Sequence, residues 1–314
     1  MIGALVMAYG TPSSKEDVGA FYTHVRRGRP PSPEQLADLC RRYDAIGGTS
    51  PLVDRTNAQA DGLAAALGDE YQVALGFKHA SPFIEDAVGA LAASGVDSFV
   101  GLVLAPHYSK LSVGEYCDRA RAAAGDRMNF SMIESWHLAA GYVDLLAGFL
   151  IEAMAEVASA GAVHVVFTAH SLPERILATG DPYPAQLAAS AAAIAARADL
   201  APEMWSVAWQ SAGRTPEPWI GPDILTVIDT LADTGTQAVV VCAAGFTSDH
   251  LEVLYDLDIE ARNRAEAQGL GFARTRSLND HSQLCSTLAA IVRQSGHSAP
   301  RRPPKPNRAG GGGG

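Results

Sequence analysis

Residues 237–262 read QAVVVCAAGFTSDHLEVLYDLDIEAR and join an apolar run to a helical pattern. An uninterrupted apolar run of this length predicts a β-strand that is buried on both faces of a sheet. Similar runs followed by helical stretches recur along the chain, which indicates an α/β protein with a parallel, doubly wound sheet. Ligands of such sheets bind beyond the carboxyl ends of the strands. The other strand candidates are GALVMAY (3–9), YQVALGFK (71–78), SFVGLVLA (98–105), VHVVFTA (163–169) and WSVAWQ (205–210).

Three carboxylates follow the apolar run at a constant spacing, because Glu252, Asp256 and Glu260 stand four residues apart. On an α-helix this spacing aligns them on one face, where like charges repel one another. No lysine interrupts the stretch from Ser248 to Glu260. The stripe is either a path for a divalent cation or an ordinary solvent-exposed acidic helix face, and its own residues leave both interpretations open.

Length and charge restrict the class of protein. The chain has 314 residues, enough for two domains, and a net charge of −10 that argues against nucleic acid as a partner. No apolar run reaches the roughly 18 residues of a membrane span, and the N-terminus lacks the features of a signal peptide, so a cytoplasmic protein without an integral membrane segment is expected. The scattered cysteines predict free thiols rather than a zinc site. They are Cys40, Cys117, Cys242 and Cys285.

A faint internal repeat divides the chain. One strand candidate ends at Tyr9-Gly10-Thr11-Pro12 and another at His170-Ser171-Leu172-Pro173. The repeat predicts two similar Rossmann- or flavodoxin-like lobes that face each other across a cleft, with Tyr9 and His170 on opposite walls. We expect an N-terminal lobe at residues 1–155, a C-terminal lobe at 156–298, and a disordered low-complexity tail at 299–314.

His170 directly follows an apolar strand, and a histidine in that place is expected to face the cleft. It is either a metal ligand or proton acceptor, paired with Glu252 in a mixed nitrogen and oxygen site, or a hydrogen-bonded structural residue. Arg26, Arg27 and Arg29 cluster near Arg42. They form either a site for a substrate that carries carboxylates or a set of solvated charges at a helix end.

Nine segments together resemble the ferrochelatases, most closely the bacterial coproporphyrin type, and extend in order from residue 5 to about residue 256. The resemblance implies the two-lobed chelatase fold and the insertion of Fe²⁺ into a porphyrin with release of two protons. The segments include LVMAYGTP (5–12), YTHVRRGRP (22–30), RYDAIGGTSPL (42–52), FTAHSLPERI (167–176), WQSAGRTPEPWIGPD (209–223) and GFTSDHLEVLYD (245–256).

The resemblance also assigns roles to individual residues. It implies that His170 and Glu252 form the metal-insertion centre in the C-terminal lobe, and that Tyr9 becomes the axial ligand of the product iron. Asp256 and Glu260 match an outer cation site. The N-terminal lobe then supplies the contacts to the porphyrin and its propionates, namely Arg26, Arg42, Tyr43, Ser50 and Tyr116 together with Tyr9.

By the same resemblance, Tyr9 and the arginine-rich cleft favour coproporphyrin III, with its four propionates, as the substrate. Alternatives are protoporphyrin IX, a cobalt or nickel chelatase of another tetrapyrrole, and a non-catalytic tetrapyrrole or metal carrier. Some family members hold an iron–sulfur cluster on closely spaced C-terminal cysteines, and this chain lacks that pattern. We therefore expect Fe²⁺ as a substrate, no iron–sulfur cluster, no other tightly bound cofactor, and a monomer.

Overall fold

The computed structural model describes residues 1–298, so the predicted disordered tail at 299–314 lies outside the described residues. Within the described part, eight β-strands form two sheets. The strands are β1 (Ile2–Ala8), β2 (Tyr71–Phe77), β3 (Ser98–Val103), β4 (Asn129–Ile133), β5 (Val163–His170), β6 (Trp205–Gln210), β7 (Ala238–Cys242) and β8 (Gly271–Arg274).

Helices alternate with the strands along the chain. No helix among the described residues is both long and apolar enough to cross a membrane. A π-helical segment, Asp256–Ala261, joins α9 to α10, and short 3₁₀-helical segments occur at Ala158–Ala160, Glu174–Thr179 and Pro202–Met204. The α-helices are α1 (Val18–Val25), α2 (Pro33–Ala45), α3 (Leu52–Leu67), α4 (Ile84–Ala93), α5 (Val113–Ala124), α6 (Ala140–Val157), α7 (Tyr183–Arg197), α8 (Ile224–Ala232), α9 (Leu251–Leu254), α10 (Arg262–Ala267) and α11 (Ser282–Ser298).

Both sheets are parallel throughout and have the same strand order. The first sheet runs β2-β1-β3-β4 and the second runs β6-β5-β7-β8. The predicted α/β class with two similar doubly wound lobes is therefore confirmed. All six predicted strands are present, whereas the short edge strands β4 and β8 were not predicted.

The carboxyl ends of β1 and β5 are structurally equivalent. Phe77 of β2 and Trp209 of β6 each donate their backbone N–H to a proline carbonyl in the following loop, at 2.8 and 2.9 Å. Their partners in β1 and β5 are the residues immediately before Tyr9 and His170. Tyr9 and His170 therefore occupy matching places at the carboxyl edges of the two sheets.

Two helices each pack against the half of the chain to which they do not belong. Helix α6 packs against α7, β7 and β8, which belong to the second half, whereas α11 packs against α3, β3 and β4 of the first half. One continuous hydrophobic core, with Val6 and Val100 from the first sheet and Phe167 and Val240 from the second, joins the two. The predicted boundary between the lobes, at residue 155, lies within α6. We propose it only as the point in the sequence that separates the strands of the first sheet from those of the second.

Candidate active site

His170 and Glu252 form a direct pair at the carboxyl edge of the second sheet. His170 is the last residue of β5, and Glu252 lies in the first turn of α9. Nδ1 of His170 is 3.0 Å from Oε2 of Glu252, and the two side chains are 34% and 32% exposed. The Tyr183 hydroxyl donates a hydrogen bond of 2.9 Å to the backbone carbonyl of His170. The structure thus brings the two predicted residues together in a position that solvent and ligands can reach.

The electrostatics of the pair favour an imidazolium beside a carboxylate. Burial alone raises the pKa of the Glu252 carboxyl, but His170 and then His250 outweigh it, so that the pKa is lowered. Burial likewise lowers the pKa of His170, yet the charge of Glu252 and its hydrogen bond prevail and raise it. The pair can therefore hold a proton between the two groups, or release it and offer one nitrogen and one oxygen ligand to a divalent metal.

His250 is a third functional candidate, which no motif in the sequence indicated. Its Nδ1 lies 2.9 Å from the backbone carbonyl oxygen of Ser248, so this nitrogen must carry hydrogen and donate. Its Nε2 faces Oε2 of Glu252 at 3.7 Å. The signal that could have revealed it is its place two residues before Glu252, in the loop that follows β7.

The three carboxylates of the acidic stripe all interact electrostatically with Arg42, which lies in the first half of the chain. Asp256 is 5% exposed and accepts hydrogen bonds from Arg42 and from the Ser211 hydroxyl. Burial raises the pKa of Asp256 to about 6, although Arg42 opposes the shift. Burial lowers the pKa of Arg42, but Asp256, Glu260 and Glu252 together raise it. All three carboxylates therefore act on one guanidinium, and a cation at the predicted outer site would compete with Arg42 for Asp256.

A change of helix type accompanies this arrangement. Glu260 donates its backbone N–H to the carbonyl of Tyr255, five residues earlier, at 2.9 Å. This is the hydrogen bond of a π-helix, and such segments often occur at functional sites. The three carboxylates consequently do not lie on a regular α-helical face as predicted, because Asp256 and Glu260 belong to the π-helical segment.

Helix α2 carries Arg42 and is held against the second half of the chain. The helix begins with a capping box between Ser32 and Gln35, with a proline at its first position, which fixes its start and direction. The Arg42 guanidinium lies over the ring of Tyr255 at 4.7 Å from the centroid. Arg41 also donates to the Tyr255 hydroxyl, at 2.5 Å.

Tyr9 directly follows β1, at the place that corresponds to His170 in the other sheet, and is 42% exposed; Tyr9 and its surroundings are here called the second wall of the candidate site. Burial among neighbouring atoms and then the negative charge of Glu252 raise the pKa of Tyr9, so the phenol stays neutral. The ring of His79 lies 4.6 Å from that of Tyr9, and burial, Lys78 and His24 lower the pKa of His79 to about 3. The surroundings of this wall therefore disfavour an added positive charge.

The remaining predicted residues differ in their surroundings. Tyr43 is buried, its hydroxyl lies 3.1 Å from that of Thr11, and burial raises its pKa to about 12. Tyr116 is buried beneath the ammonium group of Lys78, 5.0 Å from the ring centroid. The two other predicted contacts bond within their own segments, since Arg26 donates to the carbonyl of Arg29 and Ser50 accepts from the backbone of Leu52.

Comparison with known proteins identifies the family. The family model described as ferrochelatase matches residues 1–296. The chain belongs to the ferrochelatase family. The match confirms the resemblance that the sequence motifs indicated. Ferrochelatases are metal chelatases and are classed as lyases.

Several members of the ferrochelatase family are close to this chain in sequence. Proteins named coproporphyrin III ferrochelatase from Anoxybacillus flavithermus and Bacillus mycoides are 44% and 45% identical to it, covering 93% of this chain and 95% and 96% of their own. A protein named ferrochelatase from Herpetosiphon aurantiacus is 43% identical over 92% of this chain and 97% of its own.

Solved chelatase structures share the fold. SirB from Bacillus subtilis, solved with Fe³⁺, superposes with a TM-score of 0.56 at 14% identity, covering 94% of this chain and 96% of its own. CbiX, described as the terminal enzyme of sirohaem biosynthesis in denitrifying bacteria, gives a TM-score of 0.53 at 15% identity, covering 94% and 99%. At these identities the likeness extends to the fold alone.

Proposed function

We propose that this ferrochelatase inserts Fe²⁺ into coproporphyrin III to give Fe-coproporphyrin III, with release of two protons, in haem biosynthesis. The observation that supports it most is the His170–Glu252 pair, 3.0 Å apart, which lies close enough to Tyr9 for the charge of Glu252 to raise the pKa of its phenol. The naming of relatives at 44% and 45% identity as coproporphyrin III ferrochelatases supports the choice of porphyrin.

In the proposed reaction the pair handles the metal and the protons. Imidazole and carboxylate together suit a first-row divalent ion, and the negative charge of Glu252 attracts it. The two pyrrole protons leave as the metal enters, and His170, once it has given its own proton to solvent, accepts one of them. Tyr9, on the second wall, becomes the axial ligand of the product iron when its phenol ionises against the metal.

The porphyrin carboxylates supply the remaining binding energy in this proposal. Arg26, Arg42, Tyr43, Ser50 and Tyr116 are the proposed contacts to the macrocycle and its propionates, since guanidinium and hydroxyl groups bind carboxylates well. Asp256 and Glu260 are proposed as the outer cation site, where an incoming ion exchanges with Arg42. The cytoplasmic location and the monomeric state predicted from the sequence stay predictions.

The alternatives make distinct predictions. A protoporphyrin IX enzyme would prefer the porphyrin with two propionates, and a cobalt or nickel chelatase of another tetrapyrrole would leave coproporphyrin III unmetalated. A non-catalytic carrier would bind the porphyrin without metalating it. The likeness to SirB and CbiX favours none of them, because it concerns the fold alone.

The decisive experiment mixes the protein anaerobically with Fe²⁺ and either coproporphyrin III or protoporphyrin IX, and follows the absorption spectrum. We expect faster metalation of coproporphyrin III. His170→Ala should lower turnover by about 10³-fold or more while porphyrin still binds, because a proton acceptor and metal ligand is lost. His164→Ala, on the same strand and 3.0 Å from the Ser206 hydroxyl, is the matched control. Near-normal turnover by His170→Ala would contradict the assignment.

A further inference from the structure

A buried glutamine links the two members of the proposed catalytic pair. Gln210 is the last residue of β6 and lies directly beside His170 in the sheet. Its side chain is fully buried, and its Nε2 donates a hydrogen bond of 2.9 Å to the backbone carbonyl of Glu252. We infer that Gln210 is a positioning residue, whose amide fixes Glu252 relative to His170. The inference rests on the roles proposed above for those two residues.

The contacts form a closed ring. The backbone carbonyl of Gln210 accepts from the N–H of Ser171, next to His170, at 2.7 Å. The Gln210 side chain then holds the backbone of Glu252, and the Glu252 carboxylate returns to Nδ1 of His170 at 3.0 Å. Because His170 and Glu252 are 82 residues apart in sequence and lie on different elements, their separation depends on such tertiary links.

Stability alone does not explain a glutamine at this position. The Oε1 atom of Gln210 is buried and has no hydrogen-bond partner among the described residues. A buried amide that is only half satisfied costs free energy, which offsets part of the stability that its hydrogen bond to Glu252 contributes. The amide orientation is also fixed, because the group that it meets on Glu252 is a carbonyl oxygen, which requires the NH₂ side.

The other sheet shows that the fold does not require this link. The position equivalent to Gln210 is Lys78, the residue after Phe77 in β2. The Lys78 ammonium group pairs with the carboxylate of Glu115 at 2.6 Å rather than with a backbone carbonyl. At this strand position, therefore, the link to the backbone of a helix is made by Gln210 and not by its equivalent Lys78.

The test compares two buried glutamines. Gln210→Met keeps the volume and removes the donor, and Gln210→Glu keeps the shape. We expect either to lower kcat by about 10- to 100-fold, since a displacement of a reacting group by about 1 Å can have that effect. The KM for coproporphyrin III should change little. Gln59→Met is the matched control, because Gln59 is 3% exposed and its Nε2 donates to the carbonyls of Thr247 and Asn279, at 3.1 and 3.0 Å.

A double-mutant cycle then distinguishes positioning from a general loss of stability. If Gln210 acts through Glu252, Gln210→Met should have little further effect on kcat in a Glu252→Asp background, whereas Gln59→Met should have the same small effect in both backgrounds. Equal factors for Gln210→Met in the two backgrounds, or an unchanged kcat in both Gln210 variants, would overturn the inference. Should Gln210→Met fail to fold, Gln210→Glu is used in the cycle instead. Iron insertion by the wild type and its loss in His170→Ala test the proposed function separately.

Discussion

The carboxyl ends of β1 and β5 are equivalent in the fold, yet they shift the pKa of a nearby histidine in opposite directions. At β1, the ring of His79 lies 4.6 Å from that of Tyr9, and burial, Lys78, His24 and Arg119 lower the pKa of His79. At β5, His170 is next to carboxylates, which raise its pKa. The same strand order therefore supports one wall that disfavours cations and one that attracts them.

The difference teaches that the scaffold sets only the place of the chemistry. The side chains that follow each strand and begin the next helix decide whether that place attracts or disfavours cations. Their position agrees with the general rule that ligands of parallel α/β sheets bind at the carboxyl ends of the strands. We expect the metal ion to approach along the wall of Glu252, Asp256 and Glu260, and the porphyrin to rest against the wall of Tyr9. Substitutions that exchange or remove charge on one wall only are the direct way to test this contrast.

Among substitutions that change charge on one wall, the largest effect is expected from removing the carboxylate nearest to His170. Glu252→Gln should lower kcat for iron insertion by about 10²- to 10³-fold, because the charge that attracts the metal and raises the pKa of His170 is lost. The matched substitution on the other wall is Glu115→Gln, whose carboxylate is paired with Lys78 and Arg27 at 2.6 and 2.9 Å. It should lower kcat less than about fivefold. Similar losses in both variants would remove the contrast between the walls.

The pKa values of His170 and His79 test the contrast between the two walls without a measurement of activity. The pKa of His170 should lie above the ordinary 6.5, since Glu252 outweighs the effect of burial. The pKa of His79 should lie near 3, because burial, Lys78 and His24 all lower it. At pH 6.5 His170 should therefore be mostly protonated and His79 neutral, which histidine ring NMR can follow, with His79→Gln and His170→Ala used for assignment. Coincident titration curves would refute the electrostatic description.

The smallest effect is expected at the outer end of the acidic stripe. The double substitution Asp256→Asn/Glu260→Gln should raise the KM for Fe²⁺ by about three- to tenfold at low ionic strength, and less in high salt, because it weakens local cation attraction. The affinity for coproporphyrin III should change less than the KM for Fe²⁺. Asp233→Asn/Glu266→Gln, which removes two exposed carboxylates, is the control with the same change in net charge. A change in porphyrin affinity alone would argue against a metal path.

The central strands were predictable from the sequence because they are buried on both faces and therefore consist of continuous apolar runs. The edge strands β2 and β6 also stood out as apolar runs, whereas the edge strands β4 and β8 did not. Residues 129–133 of β4 are mostly half-buried, and β8 has only four residues, so neither contains an apolar run that stands out. The crossing of α6 and α11 between the halves also depends on packing between distant segments, which periodicity within one segment does not record.

Within the site, His170 and Glu252 were predictable because they follow strands whose carboxyl ends form the functional edge. The contact between Arg42 and Asp256 joins residues that are 214 positions apart, and no local pattern announces it. Gln210 is an ordinary polar residue at a strand end until its burial and its bond to Glu252 are known. The π-helical segment could not be predicted, because nothing in its sequence, DLDIEA, distinguishes a π-helix from an α-helix.

The crossing of α6 and α11 has a mechanical consequence. Each helix belongs to one half of the chain and packs on the sheet of the other half, so the two sheets cannot separate as independent bodies without breaking core contacts. We expect the cleft to be stiff, because close-packed interiors resist deformation. Under the proposed function, any misfit between stiff walls and a flat macrocycle would be taken up by bending of the macrocycle, which would turn the lone pairs of its nitrogens out of the ring plane, toward an incoming metal ion.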